Sequence, residues 1–167
     1  MEICDLYKSG VTFDEFVNMD TDTYKEKTLE IFNSIEFDDE LTSKIKAIDT
    51  KVKILVCGEM WCPDCMINVP VLEKMKGYND NIDISIVGKE GNEEFFKKYT
   101  SDENVRIPTF VIYDNDYNEL GSFVEHPKKI KEIMETANQP NRIVAMRKYR
   151  KGEYAQDTLR DILEIIL

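Results

Sequence analysis

Glycine and proline are scarce, with seven and five in 167 residues. That excludes a collagen-like chain and argues against a disordered, low-complexity one. Basic residues are also short: 22 Lys and Arg face 33 Asp and Glu, for a net charge of −11. Nucleic acid and anionic membrane surfaces both recruit a basic face, so neither is an expected partner. Charges interrupt every apolar run well before the roughly 20 residues a membrane helix needs. Met1–Gly10 carries Glu2, Asp5 and Lys8 and has no apolar core of signal-peptide length. The expectation is a soluble, cytoplasmic protein. Four cysteines (Cys4, Cys57, Cys62 and Cys65) are too few for a disulfide scaffold. In a reducing compartment such thiols are catalytic, metal-binding or buried.

What is present is enough for one domain with extensions, since 42% of the residues are hydrophobic. The first fifty residues read as helical. Thr12 and Glu15 stand at capping-box spacing, as do Thr23 and Glu26. Leu29, Phe32 and Ile35, then Leu41, Ile45 and Ile48, recur at steps of three and four, the spacing of a buried helical stripe. Thirteen of the acids but only five of the bases fall in this stretch. After residue 51 the period changes. Val52–Cys57 suits an interior strand, and Asp64–Lys76 a helix closed by Gly77 as a left-handed cap. Ile82, Ile84 and Ile86 alternate as in a strand. Asn92–Tyr99 reads as helix and Thr109–Tyr113 as strand. Asp114–Asn118 is a turn, so Glu119–Val124 returns antiparallel. Pro127 can start a helix through Ala137, with Pro140 ending it. Beyond it, Leu159, Ile162, Leu163 and Ile166 give an apolar helical face that docks back. Arg142, Arg147, Lys148, Arg150 and Lys151 precede that face and read as a solvated surface. The division is thus a helical N-terminal extension (1–50), an α/β domain (51–140) and a C-terminal helical extension (141–167).

The chemistry centres on Trp61-Cys62-Pro63-Asp64-Cys65 at the strand-to-helix junction. A two-residue spacing lets both sulfurs meet across the first turn of a helix. Cys62 at the helix start faces unpaired N–H groups and the positive dipole end, which favour a thiolate. Cys65, one turn inside, is shielded and placed to attack a mixed disulfide on Cys62. Ile107-Pro108-Thr109 stands immediately before a later strand.

With WCPDC, with IPT 46 residues after Cys62, and with this order of elements, the chain resembles the thioredoxin superfamily from about Val52 to Ala137. The resemblance implies a mixed sheet flanked by helices. It also implies a cis Ile107–Pro108 bond beside the sulfurs, and an Ile107 backbone that pairs with extended substrate next to Pro108 and Thr109. The Glu59–Cys65 segment, Gly121–Pro127, and the Tyr149, Gly152, Tyr154 run look like a narrower thioredoxin-like subfamily. Thioredoxins carry a buried Asp six residues before the first cysteine, where this chain has Val56. Glu59 is the nearest carboxylate before the motif. The Pro63–Asp64 pair is closer to glutaredoxins, although Gly121-Ser122 matches their glutathione signature only in part.

Each residue also has a plainer reading. Cys57 in a central strand reads as a small buried hydrophobe, and Cys4 as incidental. Trp61 is either core filling or an aromatic plate beside the substrate groove. Glu59 is a loop carboxylate or a proton acceptor. Asp64 suits a helix N-terminus, yet its charge opposes a Cys62 thiolate. His126 defaults to a surface loop. Zinc needs four ligands, and only Cys4, Cys57 and His126 could join the pair, so no metal is expected. The reading is a thiol–disulfide oxidoreductase, reducing protein or small-molecule disulfides with Cys62 and Cys65 as catalytic residues. Trp61, Pro63, Asp64 and Glu59 support them. No bound cofactor is required, and electrons come from an external reductase or a small thiol. The rivals are glutaredoxin-like activity on low-molecular-weight thiols and a non-catalytic binding module.

Overall fold

The computed structural model describes residues 2–20 and 23–167. Its N-terminal stretch forms four short helices: α1 (Ile3–Ser9), α2 (Phe13–Val17), α3 (Thr23–Ser34) and α4 (Asp39–Lys46). The Thr12–Glu15 capping box is complete, each side chain accepting from the other's backbone N–H at 3.2 and 3.1 Å. Thr23 is already helical, so it does not cap α3. Ile31 and Thr28 lead the buried face of α3, with Leu29 and Phe32 only half-buried. Leu41, Ile45 and Ile48 are all buried.

Four strands make one mixed sheet in the order β2–β1–β3–β4: β1 (Val52–Cys57), β2 (Ile82–Val87), β3 (Thr109–Asp114) and β4 (Glu119–Val124). β1 runs parallel to β2, which requires a crossover, and α5 (Pro63–Lys76) supplies it. β3 is antiparallel to both β1 and β4. The N-terminal extension covers the outer edge of β2. Val11 and Ile86 exchange backbone hydrogen bonds of 2.9 Å in each direction, and Tyr7 donates its hydroxyl to Asp83 at 2.7 Å. A free strand edge would otherwise invite pairing with another chain.

α5 is buried from Cys65 to Leu72, because α3, α8 and α9 pack around it as well as β2. Pro70 is accommodated inside it. Gly77 is not a left-handed cap: its φ of −60° is right-handed. The chain keeps turning the same way through Tyr78 and Asn79, whose N–H groups bond back to Met75 and Lys76. The expected helix at 92–99 is a short α6 (Glu93–Phe96) continued by a single 3-10 turn.

Beyond β4, α7 (Lys128–Thr136) ends at Ala137, before Pro140. Pro140 instead sits in the first turn of α8 (Gln139–Arg150), where a missing N–H costs nothing. Residues 141–167 are therefore two helices, α8 and α9 (Ala155–Ile166). Gly152 reverses the chain between them at φ +85°. Its N–H bonds to Tyr149 and that of Glu153 to Lys148, which closes α8 as a Schellman motif. An L-residue at that φ costs about 1–2 kcal/mol. Gly152→Ala is accordingly expected to lower stability by about that much, measured as the urea unfolding midpoint. An unchanged midpoint would contradict it.

Candidate active site

β1 ends at Cys57, and Gly58–Trp61 lead into α5 with Cys62 as its N-cap. Cys62 has extended backbone (φ −78°, ψ 121°) and its carbonyl accepts the first helical bond, from Met66 at 3.1 Å. Pro63 has no N–H, so the next free donors are those of Asp64 and Cys65. Both favour the charged form of the Cys62 sulfur. Cys62 and Cys65 lie 3.4 Å apart as free thiols, 5% and 1% exposed.

Their acidities diverge. Cys62 is held below the ordinary thiol range, first by the hydrogen bond from Cys65 and then by the backbone N–H groups of Cys65 and Asp64. Partial burial and the Asp64 charge oppose this and lose. Cys65 is pushed well up, chiefly by burial and then by the neighbouring Cys62. Cys57 is fully buried in β1, and burial followed by the Glu59 charge pushes its thiol up to about 12. That suits an inert hydrophobe.

The Ile107–Pro108 bond is cis. The Ile107 carbonyl faces Cys62, whose thiol donates to it at 3.6 Å. Pro108 is buried, and its carbonyl accepts from Glu125 N–H at 2.8 Å. Thr109, 1% exposed, turns its hydroxyl away to donate to the Arg106 carbonyl at 2.6 Å, closing the loop. Glu59 accepts the Lys89 N–H at 2.9 Å through its carboxylate, which ties the active-site loop to the end of β2. Its backbone N–H favours the Cys65 thiolate. Pro63 is exposed. Trp61 is 57% exposed, so it is not core filling. With Glu59 and Met60 it lines a groove of about 310 Å³ whose other wall includes Phe16, Met19 and Tyr24. A larger groove of about 790 Å³ runs along β4 past Arg106, Glu125 and His126.

Asp64 is the centre of a cluster that the sequence reading missed. His126 is not a free surface residue, being 21% exposed at the side chain with Nε2 on Asp64 Oδ1 at 3.2 Å. The buried Tyr149 hydroxyl donates to the same oxygen at 3.0 Å, and Arg150 at 3.3 Å. Arg150 is exposed like Arg142, Arg147, Lys148 and Lys151 of the basic cluster, but its guanidinium also pairs with Asp64. Asn68, fully buried on α5, donates to Tyr149 at 2.8 Å and to the Glu125 carbonyl at 3.0 Å. It accepts from Thr158 of α9 at 2.9 Å. Glu125 holds the left-handed φ of +66° that points its carbonyl there. Two signals were available in the sequence: Asn68 is a lone polar residue within the apolar run Met66–Leu72, and His126 is the only histidine.

Burial alone would raise the Asp64 carboxyl, but His126, then Tyr149 and Arg150, bring it below its usual range. Its charge thus adds stability above the ordinary carboxylate pKa of about 4, and that contribution fades as pH falls through the lower folded value. Asp64→Asn is expected to flatten the acid side of the stability profile, read as urea midpoint against pH. Parallel profiles for the two proteins would contradict this.

Among the described residues, no group of three or more His, Cys, Asp or Glu side chains is placed to hold a metal ion. Nor is any helix among them long and apolar enough to cross a membrane. No curated protein matches the chain. Among solved structures, a protein of unknown function from Pseudomonas aeruginosa is 28% identical with a TM-score of 0.87, covering 99% of this chain and 97% of that one. An HIV epitope-scaffold is 27% identical with a TM-score of 0.87, covering 99% and 98%. The family model described as thioredoxin matches residues 10–139. It takes in the sulfurs, the cis proline and the whole sheet, and this chain belongs to the thioredoxin superfamily.

Proposed function

We propose that this chain is a thiol–disulfide oxidoreductase that reduces protein or small-molecule disulfides in the reducing setting of the cytoplasm. The observation that carries the reading is the pair of thiols of opposite character 3.4 Å apart, one held below the ordinary thiol range and one pushed well above it. Cys62 sulfur attacks a disulfide, forming a mixed disulfide and releasing one substrate thiolate. Cys65 then loses its proton and attacks the Cys62 sulfur, and the second substrate thiol departs. The substrate gains two electrons and two protons, and the chain is left with a Cys62–Cys65 disulfide. An external reductase or small thiol restores the dithiol. In this reading extended substrate aligns on the Ile107 backbone, whose carbonyl meets Cys62, and approaches past the exposed Trp61.

The test is equilibration in defined glutathione or dithiothreitol redox buffers, with mass spectrometry of each cysteine and a turnover assay on insulin and on glutathione adducts. The expected result is one two-electron transition confined to Cys62 and Cys65, with insulin reduced. Turnover restricted to glutathione adducts would favour a glutaredoxin-like activity. No transition and no turnover would leave a binding module.

A further inference from the structure

A carboxylate between the two cysteines is an awkward neighbour for a nucleophile, because an anion there opposes a thiolate on Cys62. Water does not dissipate that charge, since the Asp64 side chain is only 15% exposed. Protein groups do so instead. A single oxygen, Oδ1, meets three donor groups from two other parts of the chain: His126 after β4, and Tyr149 and Arg150 at the end of α8.

The donors are themselves held. Tyr149 is completely buried, and burial followed by the adjacent Asp64 pushes its phenol well up, so it remains a donor. Asn68 donates to its hydroxyl, and Thr158 of α9 anchors Asn68. The His126 ring meets the Tyr149 ring edge-on, 5.4 Å between centroids at 84°. The Arg150 guanidinium lies 5.8 Å from the centre of the same tyrosine ring. The Schellman motif at Gly152 ends α8 immediately after Arg150.

We propose that Tyr149, Arg150 and His126 form a cap that neutralises Asp64, so that the C-terminal helices set the nucleophilicity of Cys62. The proposal rests on the redox reading of the Cys62–Cys65 pair. The three are positioning residues that act through Asp64. A carboxylate whose charge is drawn toward a guanidinium and two further donors projects a weaker field onto Cys62. The Asp64 backbone N–H meanwhile continues to favour the thiolate. The ionisable groups around the site are few. Asp64 faces His126, Tyr149, Arg150 and the two cysteines; Glu125 meets the other ring nitrogen of His126 at 3.5 Å; Glu59 bonds to the Lys89 backbone.

The test is the pH dependence of Cys62 alkylation by iodoacetamide, mapped by peptide mass spectrometry in the full-length chain. Arg150→Gln and Tyr149→Phe are each expected to raise the midpoint by about half to one unit. That is a roughly 3- to 10-fold smaller thiolate fraction below the midpoint. Arg150→Lys should recover most of the loss. Asp64→Asn should lower the midpoint, and in that background Arg150→Gln and Tyr149→Phe should move it far less. Arg150 is half-exposed and Tyr149→Phe keeps the buried ring, so circular dichroism should report an intact fold. Equal shifts in the parent and in the Asp64→Asn background, or no shift in either, would overturn the cap. The expected shifts without any disulfide turnover would support the cap and sink only the oxidoreductase reading. Turnover without the shifts would do the reverse.

Discussion

Cys62→Ser is expected to abolish disulfide reduction, by about 10³-fold or more, because Cys62 is the thiol at the helix N-cap with Cys65 beside it to resolve a mixed disulfide. Cys57 is buried with its thiol pushed up to about 12, and Cys65 is 1% exposed and held protonated. Cys65→Ser should fail in a different way. Its Cys62 can still attack, but nothing resolves the product, so substrate accumulates as a mixed disulfide on Cys62. Non-reducing gels with mass spectrometry of the trapped adducts distinguish the two. Comparable trapping by both variants would mean that the order of attack is wrong.

Asn68→Leu is expected to destabilise the chain by about 2–4 kcal/mol, the scale of losing three hydrogen bonds, two of them buried, at roughly 1 kcal/mol each. The substitution keeps an apolar side chain of similar length on a helix face that is buried anyway. It removes the donor to Tyr149 and Glu125 and the acceptor for Thr158. Tyr149 and Thr158 are buried, so water does not readily replace the partner they lose. The urea midpoint measures the effect. A change within about half a kcal/mol, the usual range of a surface substitution, would show that the network does not hold α8 and α9 to the domain.

The local part of the site was legible in the sequence. Cys62 and Cys65 are three residues apart, and a strand followed by a helix start is enough to bring their sulfurs together. The β3–β4 hairpin was legible for the same reason, since a short polar turn joins two neighbouring strands, whereas the register shift between Ile112 and Tyr113 was not. The cis bond before Pro108 came from resemblance to a family, since no period or composition marks it. Gly77 and Pro140 were misread because one residue type serves two conformations. A glycine can continue a right-handed turn as well as reverse it, and a proline can open a helix as well as follow one.

The chain's own order of apolar and polar residues thus determined the strands, the crossover helix and the dithiol, all of which arise between near neighbours. Tertiary structure alone decided what surrounds Asp64. His126 reaches it across 62 residues and Arg150 across 86. A hydrogen-bond partner supplied by another element leaves no periodicity behind. Histidine, tyrosine and arginine look the same in a sequence whether they meet water or a carboxylate. Only the packing of α8 against α5, which buries Tyr149 and carries Arg150 with it, distinguishes the two.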